Sequence, residues 1–141
     1  MVYTYEDLKV GDTNTYEKTV TEADVLLFSA VSGDSNPMHV NDQFAKKSKF
    51  GRRIAHGALT SSLISTALTK TFPTSIYISQ HSEFLAPVYI GDTIRIVVTC
   101  QEKLGKGRVR MLTEGFNQDG VKVITGEGIT RCAREIPPEL L

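Results

Sequence analysis

A short polar segment near residue 35 combines two side chains that can move protons. Asp34 and His39 lie on one loop, which Pro37 between them stiffens. A carboxylate and an imidazole on a rigid loop can converge on a single water or substrate atom, as general acid–base catalysis requires. The same residue types also form good turns, because Asp and Asn side chains bond to their own backbone. Residue types alone therefore leave both catalysis and turn formation open.

A second segment places Gly57 at the start of a run with helical spacing. Free backbone N–H groups and the positive end of the helix dipole point outward at such a terminus. Donors of this kind can stabilise an oxyanion that develops during a reaction. The alternative is that Gly57 only permits close packing, while His56 is a polar residue with satisfied hydrogen bonds. The pattern of this segment does not separate the two interpretations.

The remaining sequence predicts the elements that must position these segments. Thr21 and Asp24 have the spacing of a capping box, and the apolar residues after them predict a helix that ends near Gly33. Residues 58–71 predict an inner helix, because their many small side chains allow close packing on several faces. Residues 32–40 are predicted as loop, 41–48 as a short helix, and 13–20, 75–85, 93–103, 108–117 and 121–132 as strands. Together they predict an α+β fold, in which a curved antiparallel sheet wraps around one helix.

Length and composition are those of one globular domain, over residues 1–141. Sixteen basic residues balance sixteen acidic ones, which argues against a general nucleic-acid binder. Cys100 and Cys132 belong to no C-x-x-C pair, so no disulfide framework or zinc site is predicted. The first residues lack a signal-peptide pattern, and the apolar runs are too short to span a membrane. We therefore expect a cytoplasmic protein without a nucleic-acid or membrane partner.

Several motifs together resemble the MaoC-like, (R)-specific enoyl-CoA hydratase family. The motif Asp34-x-Asn36-Pro37-x-His39 is similar to the family's hydratase signature. Residues 52–59, with Ala-His-Gly at their centre, look like the family's entry into its central helix, and residues 84–93 resemble its strand–turn–strand segment. The similarity runs from about residue 7 to about residue 128, which is nearly the whole chain.

The resemblance implies a fold, a reaction and roles for four residues. The fold is the hot dog, and the reaction is the reversible syn addition of water to a trans-2-enoyl thioester, giving the (R)-3-hydroxyacyl thioester. Asp34 and His39 are the implied catalytic pair, and Gly57 offers a backbone N–H to the thioester oxygen. Ser65, two turns into the central helix, matches a further active-site position. The substrate is expected to be an acyl-CoA, so coenzyme A belongs to the substrate, and neither a cofactor nor a metal is expected.

Supporting and substrate-binding residues are also predicted. Asn36 and Pro37 are expected to hold the catalytic loop rather than to react. A basic cluster lies between the two motifs: Lys46, Lys47, Lys49, Arg52 and Arg53. Arg52 and Arg53 are predicted contacts for the coenzyme A phosphates, the alternative being a solvated charged face. The expected assembly is a homodimer or a higher homo-oligomer, because an open sheet has edges that must be covered.

Two other functions are compatible with the sequence. A hot-dog domain could act as an acyl thioesterase or as a non-catalytic acyl-binding subunit, because a fold alone does not fix the chemistry. The arrangement of Asp34 and His39 favours hydration over both. The product separates the two enzymatic functions, since a hydratase yields a 3-hydroxyacyl thioester and a thioesterase yields a free thiol.

Overall fold

Five antiparallel strands form one sheet. The computed structural model describes residues 1–141. The strands are β1 Thr13–Thr19, β2 Ile76–Phe84, β3 Thr93–Gly105, β4 Arg108–Phe116 and β5 Lys122–Arg131. Their spatial order in the sheet is β1-β3-β4-β5-β2. Strands β3, β4 and β5 follow one another as the predicted meander, so β1 and β2 form the two edges of the sheet.

The helices are α1 Glu22–Ser32, α2 Pro37–Val40, α3 Asp42–Lys46 and α4 Gly57–Thr71, with a final 3₁₀ turn at Pro138–Leu140. Helix α1 begins with the predicted capping box, in which Thr21 and Asp24 each accept the other's backbone N–H. It ends at Gly33, whose φ of 79° is in the left-handed region that glycine adopts without strain. None of the helices combines the length and the apolar character needed to cross a membrane.

The predicted curved sheet around an inner helix is confirmed. Helix α4 packs against four of the five strands, namely β1, β2, β3 and β5. Its buried side chains lie on several sides of the helix: Leu59, Thr60, Leu63, Ile64, Ala67, Leu68 and Thr71. They meet the inward residues of the sheet, among them Ile94, Ile96, Val98, Val109 and Met111. Because burying one such aliphatic side chain stabilises the fold by about 1.5–3 kcal/mol, this core fixes the position of the α4 N-terminus.

One predicted loop contains a helix. Residues 32–40 were expected to be irregular, but Pro37–Val40 form the single turn α2. The reason is local, because the Asn36 side chain accepts the N–H of Met38 as an N-cap, and Pro37 occupies the first turn, where its missing N–H costs nothing. The helix expected over 41–48 is shorter than predicted, and it begins after the cap residue Asn41.

Candidate active site

The backbone of Asp34 is held immediately after α1 ends. Its N–H donates to the hydroxyl of Ser32 at 3.1 Å, and its carboxylate accepts the N–H of Asn36 at 3.2 Å. The carbonyl of Asp34 accepts a hydrogen bond from Nε2 of His56 at 3.0 Å. The residue is exposed in the single chain. Thus the end of α1 and the turn after it fix a carboxylate that solvent can reach.

The single turn of α2 carries His39 to the inside of the same loop. The N–H of His39 donates to the carbonyl of Asn36, and its side chain is 9% exposed. Its Nδ1 lies 2.8 Å from the carbonyl oxygen of Ile54. A carbonyl only accepts hydrogen bonds, so Nδ1 carries a proton. In the neutral imidazole, Nε2 is therefore the nitrogen with the free lone pair.

A cavity of about 490 Å³ lies beside His39 and the start of α4. Its walls are mainly apolar and come from the loop before α4, from α4 itself and from the segment that follows β2. The lining includes His39, Ile54, Gly57, Thr60, Phe84 and Val88. A mainly apolar pocket with a few convergent polar groups is typical of small-molecule sites.

Gly57 presents its backbone to this cavity. It is the first residue of α4, so its N–H has no carbonyl one turn earlier in the helix, and no side chain of the protein accepts it. A Cβ added at this position would lie 3.0 Å from the ring of Phe84. Glycine thus allows the ring of Phe84 to pack closely against the start of the helix.

The polar groups at the site form a close cluster. A carboxylate oxygen of Asp34 and one ring nitrogen each of His39 and His56 lie within 4.8 Å of one another. Two imidazoles and a carboxylate form a ligand set that suits several metal ions, so the predicted absence of a metal stays a prediction. One nitrogen of each ring is already hydrogen-bonded to a backbone carbonyl, which leaves the carboxylate and one lone pair from each ring.

The predicted phosphate contacts differ in their surroundings. Arg53 is buried, and its guanidinium pairs with Glu22 of α1 and Asp42 of α3 at 2.5 and 2.8 Å. Because both carboxylates pair with it, the guanidinium of Arg53 ties two helices together and is not free in this chain for the phosphate contact that the sequence predicts. Arg52 is exposed and lies over the ring of Tyr89 at 3.9 Å, so it remains available to an anion.

Ser65 is not brought to the cavity that His39 and Gly57 line. Two helical turns separate it from Gly57, which corresponds to about 12 Å of rise. It lines a separate cavity of about 240 Å³ with Tyr77 and Thr130, among others. Within one chain, the structure therefore does not place Ser65 in the candidate active site.

Neither cysteine supplies a reactive thiolate. Cys100 and Cys132 are free and buried. Burial raises the pKa of Cys132 to about 12, with a smaller contribution from Cys100, and burial also raises the pKa of Cys100. Both side chains are therefore thiols at neutral pH, and covalent catalysis by cysteine is not available at this site.

Sequence reasoning missed several residues of the site. Phe84 belongs to the strand–turn–strand segment that carries the family resemblance, but nothing in its spacing shows that its ring faces Gly57. Phe28 and Ser29 contact the imidazole of His56 from α1, with the Ser29 hydroxyl 3.1 Å from Nε2. The apolar stripe of α1 could have indicated Phe28, whereas no local signal indicates the contact made by Ser29.

Known proteins are similar to this chain in sequence and in fold. A family model described as the MaoC like domain matches residues 9–122. An (R)-specific enoyl-CoA hydratase of Rhodospirillum rubrum is 42% identical over 101 residues, which cover 70% of each chain. A 3-hydroxybutyryl-CoA dehydratase of Methylorubrum extorquens is 36% identical over 133 residues, which cover 93% of this chain and 85% of that protein.

A solved structure agrees with the same assignment. The R-hydratase PhaJ1 of Pseudomonas aeruginosa, in its unliganded form, superimposes with a TM-score of 0.89 at 39% identity, over 96% of this chain and 94% of that chain. The fold is thus the hot dog that the family resemblance implied. Because the family model and the relatives cover most of its length, this chain belongs to the MaoC-like dehydratase family.

Proposed function

We propose that this protein catalyses the reversible hydration of a trans-2-enoyl-CoA to the (R)-3-hydroxyacyl-CoA. The observation that carries the proposal is that His39 and the N–H of Gly57 both face one apolar cavity, while the carboxylate of Asp34, which does not itself line the cavity, lies within 4.8 Å of a ring nitrogen of His39. The names of the relatives, a hydratase and a dehydratase, describe the two directions of this reaction.

The acid–base pair suits a water molecule as nucleophile. Nε2 of His39 has a free lone pair, and the carboxylate of Asp34 is exposed, so one water can donate to both. As the water oxygen bonds to C3 of the enoyl group, one of its protons passes to this pair. A proton returns from the pair to C2 on the same face, which completes a syn addition without oxidation or reduction.

The helix terminus supports the other half of the reaction. Attack at C3 moves electron density to the thioester oxygen, which becomes an enolate oxygen. The N–H of Gly57 and the α4 dipole stabilise that negative charge, and they do so more strongly in the transition state than in the ground state. The acyl chain lies against the apolar wall formed by residues such as Phe84 and Val88.

The coenzyme A part of the bound substrate extends out of the cavity past basic side chains. Lys49 lines the cavity and is exposed, and Arg52 lies nearby on the stretch between α3 and α4. Both offer charged donors to phosphate oxygens, whereas the guanidinium of Arg53 is already paired. Replacing Arg52 with Gln should therefore raise KM for an acyl-CoA and leave kcat nearly unchanged.

The test is a hydration assay on a panel of enoyl-CoAs with increasing chain length. We expect loss of the conjugated enoyl absorbance and formation of the (R)-3-hydroxyacyl product, identified by chiral analysis. The same assay after treatment with a chelator should give unchanged rates. An (S) product would contradict the proposal, and release of free thiol without hydration would favour a thioesterase. Loss of activity on chelation, restored by added metal, would overturn the metal-free mechanism.

A further inference from the structure

We propose that His56 is a positioning residue, which locks Asp34, His39 and the N-terminus of α4 into one geometry as a neutral imidazole protonated at Nε2. This inference rests on the proposed function, because those three groups are the ones assigned to hydration. His56 itself is 1% exposed and does not line the cavity, so it acts through its neighbours and not on the substrate.

The hydrogen bonds of the ring determine where its proton sits. Nε2 lies 3.0 Å from the carbonyl oxygen of Asp34 and 3.1 Å from the hydroxyl of Ser29. The carbonyl can only accept, so Nε2 must donate. The buried Nδ1 has no partner. A proton on Nδ1 would leave a buried N–H unpaired and would set the lone pair of Nε2 against the carbonyl, and both are unfavourable.

Two aromatic rings also pack against the imidazole of His56. The ring centroid of His39 lies 4.0 Å from that of His56, with 33° between the planes. The ring of Phe28 contacts it at 4.8 Å. The imidazole of His56 thus fixes the position of the His39 ring by packing, while the carbonyl of Ile54 fixes its rotation.

The third group that His56 positions is the N-terminus of α4, to which it is joined through the backbone. His56 is the N-cap residue of α4 and precedes Gly57 directly, but its side chain makes no capping hydrogen bond. The side chain turns instead towards α1 and the Asp34 loop. One residue therefore joins the carboxylate, the imidazole and the oxyanion donor, which come from three different parts of the chain. A misplacement of about 1 Å in such a set can cost about 10²-fold in rate.

The kinetic test distinguishes the contribution of the Nε2–H donor of His56 from that of its aromatic ring. His56→Phe keeps an aromatic ring and removes the donor, and His56→Gln keeps an amide donor near the position of Nε2. We expect kcat to fall by about 10²-fold in His56→Phe with little change in KM, and to recover in part in His56→Gln. The matched control Ser29→Ala removes only the other contact of Nε2, and its kcat should fall far less. A folded His56→Phe variant with the wild-type kcat would overturn the proposal.

A second test needs neither substrate nor a variant of His56. The protein has three histidines, and His81 is exposed. Nitrogen-15 NMR of the imidazoles at neutral pH should show His56 protonated at Nε2 and His39 protonated at Nδ1, with His81→Gln used to assign the third set of signals. A proton on Nδ1 of His56 would overturn the proposal, even if the variants fail to fold. A wild-type protein that shows these tautomers but does not hydrate enoyl-CoA would contradict the proposed function alone.

Discussion

The two buried imidazoles of the site carry their protons on different ring nitrogens, and backbone carbonyls decide which. The carbonyl of Ile54 accepts a hydrogen bond from Nδ1–H of His39, and the carbonyl of Asp34 accepts one from Nε2–H of His56. A carbonyl is a fixed acceptor that does not titrate, so each assignment persists at any pH at which the ring is neutral. His39 is thereby left with its basic nitrogen free for the chemistry.

The acid–base pair can be tested by variants that keep its structural hydrogen bonds. His39→Asn retains a donor near Nδ1 but has no group in place of Nε2, and Asp34→Asn keeps the side-chain oxygen that accepts the N–H of Asn36. We expect each variant to fold and to lose about 10²–10⁴-fold in kcat, the usual contribution of a general acid or base. Enoyl-CoA hydration and circular dichroism measure the two properties.

The control for this experiment is Asn36→Ala. It removes the cap of α2, so it should lower the free energy of unfolding by about 1 kcal/mol. Its loss of kcat should be smaller than that of either catalytic variant. Near-normal turnover in Asp34→Asn or His39→Asn would remove that residue from the mechanism.

The backbone donor at Gly57 calls for a different substitution. A branched side chain in Gly57→Val would meet the ring of Phe84 and fill the space at the helix terminus, so the thioester oxygen could no longer reach the N–H. Losing one oxyanion donor costs about 10²–10³-fold in kcat, which is the defect we expect. Ala58→Val, at the next and exposed position of α4, is the matched control. An increase in KM alone would mean that the substrate and the transition state lose the same binding energy, which would contradict the role of Gly57 as an oxyanion donor.

At the scale of elements, α1 positions the catalytic loop, and its first turn contains a titratable carboxyl group, that of Asp24. Burial raises the pKa of Asp24, but hydrogen bonds from Thr21 and Lys18 outweigh it, and the net pKa is lowered. A carboxyl whose pKa is lower in the folded state stabilises the fold above its unfolded pKa of about 3.9, and this contribution is lost as the pH falls through the folded value.

Asp24→Asn should therefore lower the free energy of unfolding at neutral pH by about 0.3–1 kcal/mol, because it removes a negative charge from the first turn of α1 and the ion pair with Lys18. The difference from the wild type should shrink as the pH falls below about 3.9. Urea unfolding across this pH range measures it, with Asp119→Asn in an exposed turn as the control. A difference that grows at low pH would show that the sign of the linkage is wrong.

Local patterns predicted most of these elements, because capping, turn and alternation signals act within a few residues. The capping box of α1 and the enclosed helix α4 are examples. Long-range partners carry no such signal. Arg53 was expected at the substrate, but Glu22 and Asp42, from elements separate in sequence, pair with it. The free nitrogen of His39 likewise depends on a carbonyl fifteen residues away, which sequence spacing cannot specify.

At the scale of the whole molecule, the two edges of the sheet are unequal. Strand β1 is mainly polar, with the sequence Thr-Asn-Thr-Tyr-Glu-Lys-Thr. Strand β2 and the residue after it expose five large apolar side chains: Ile76, Tyr77, Ile78, Phe84 and Leu85. An exposed apolar edge with unpaired backbone groups is a surface for another strand. We therefore place the predicted homodimer contact at β2, where it would also cover the side of the cavity that Phe84 and Leu85 line.

Charge placed on one edge or the other tests this arrangement. Ile78 is 44% exposed and lies at the irregularity in the pairing of β2 with β5, so Ile78→Lys should leave the core of the chain unchanged. It should nevertheless convert a dimer into monomers, because a buried lysine without a partner is costly at an interface. Sedimentation velocity should detect the change, and enoyl-CoA hydration should fall with it as the cavity opens to water. Thr15→Lys, exposed on β1, should remain dimeric and active. A wild-type chain that is monomeric and fully active, or a dimer lost through Thr15→Lys alone, would show that β2 is not the contact.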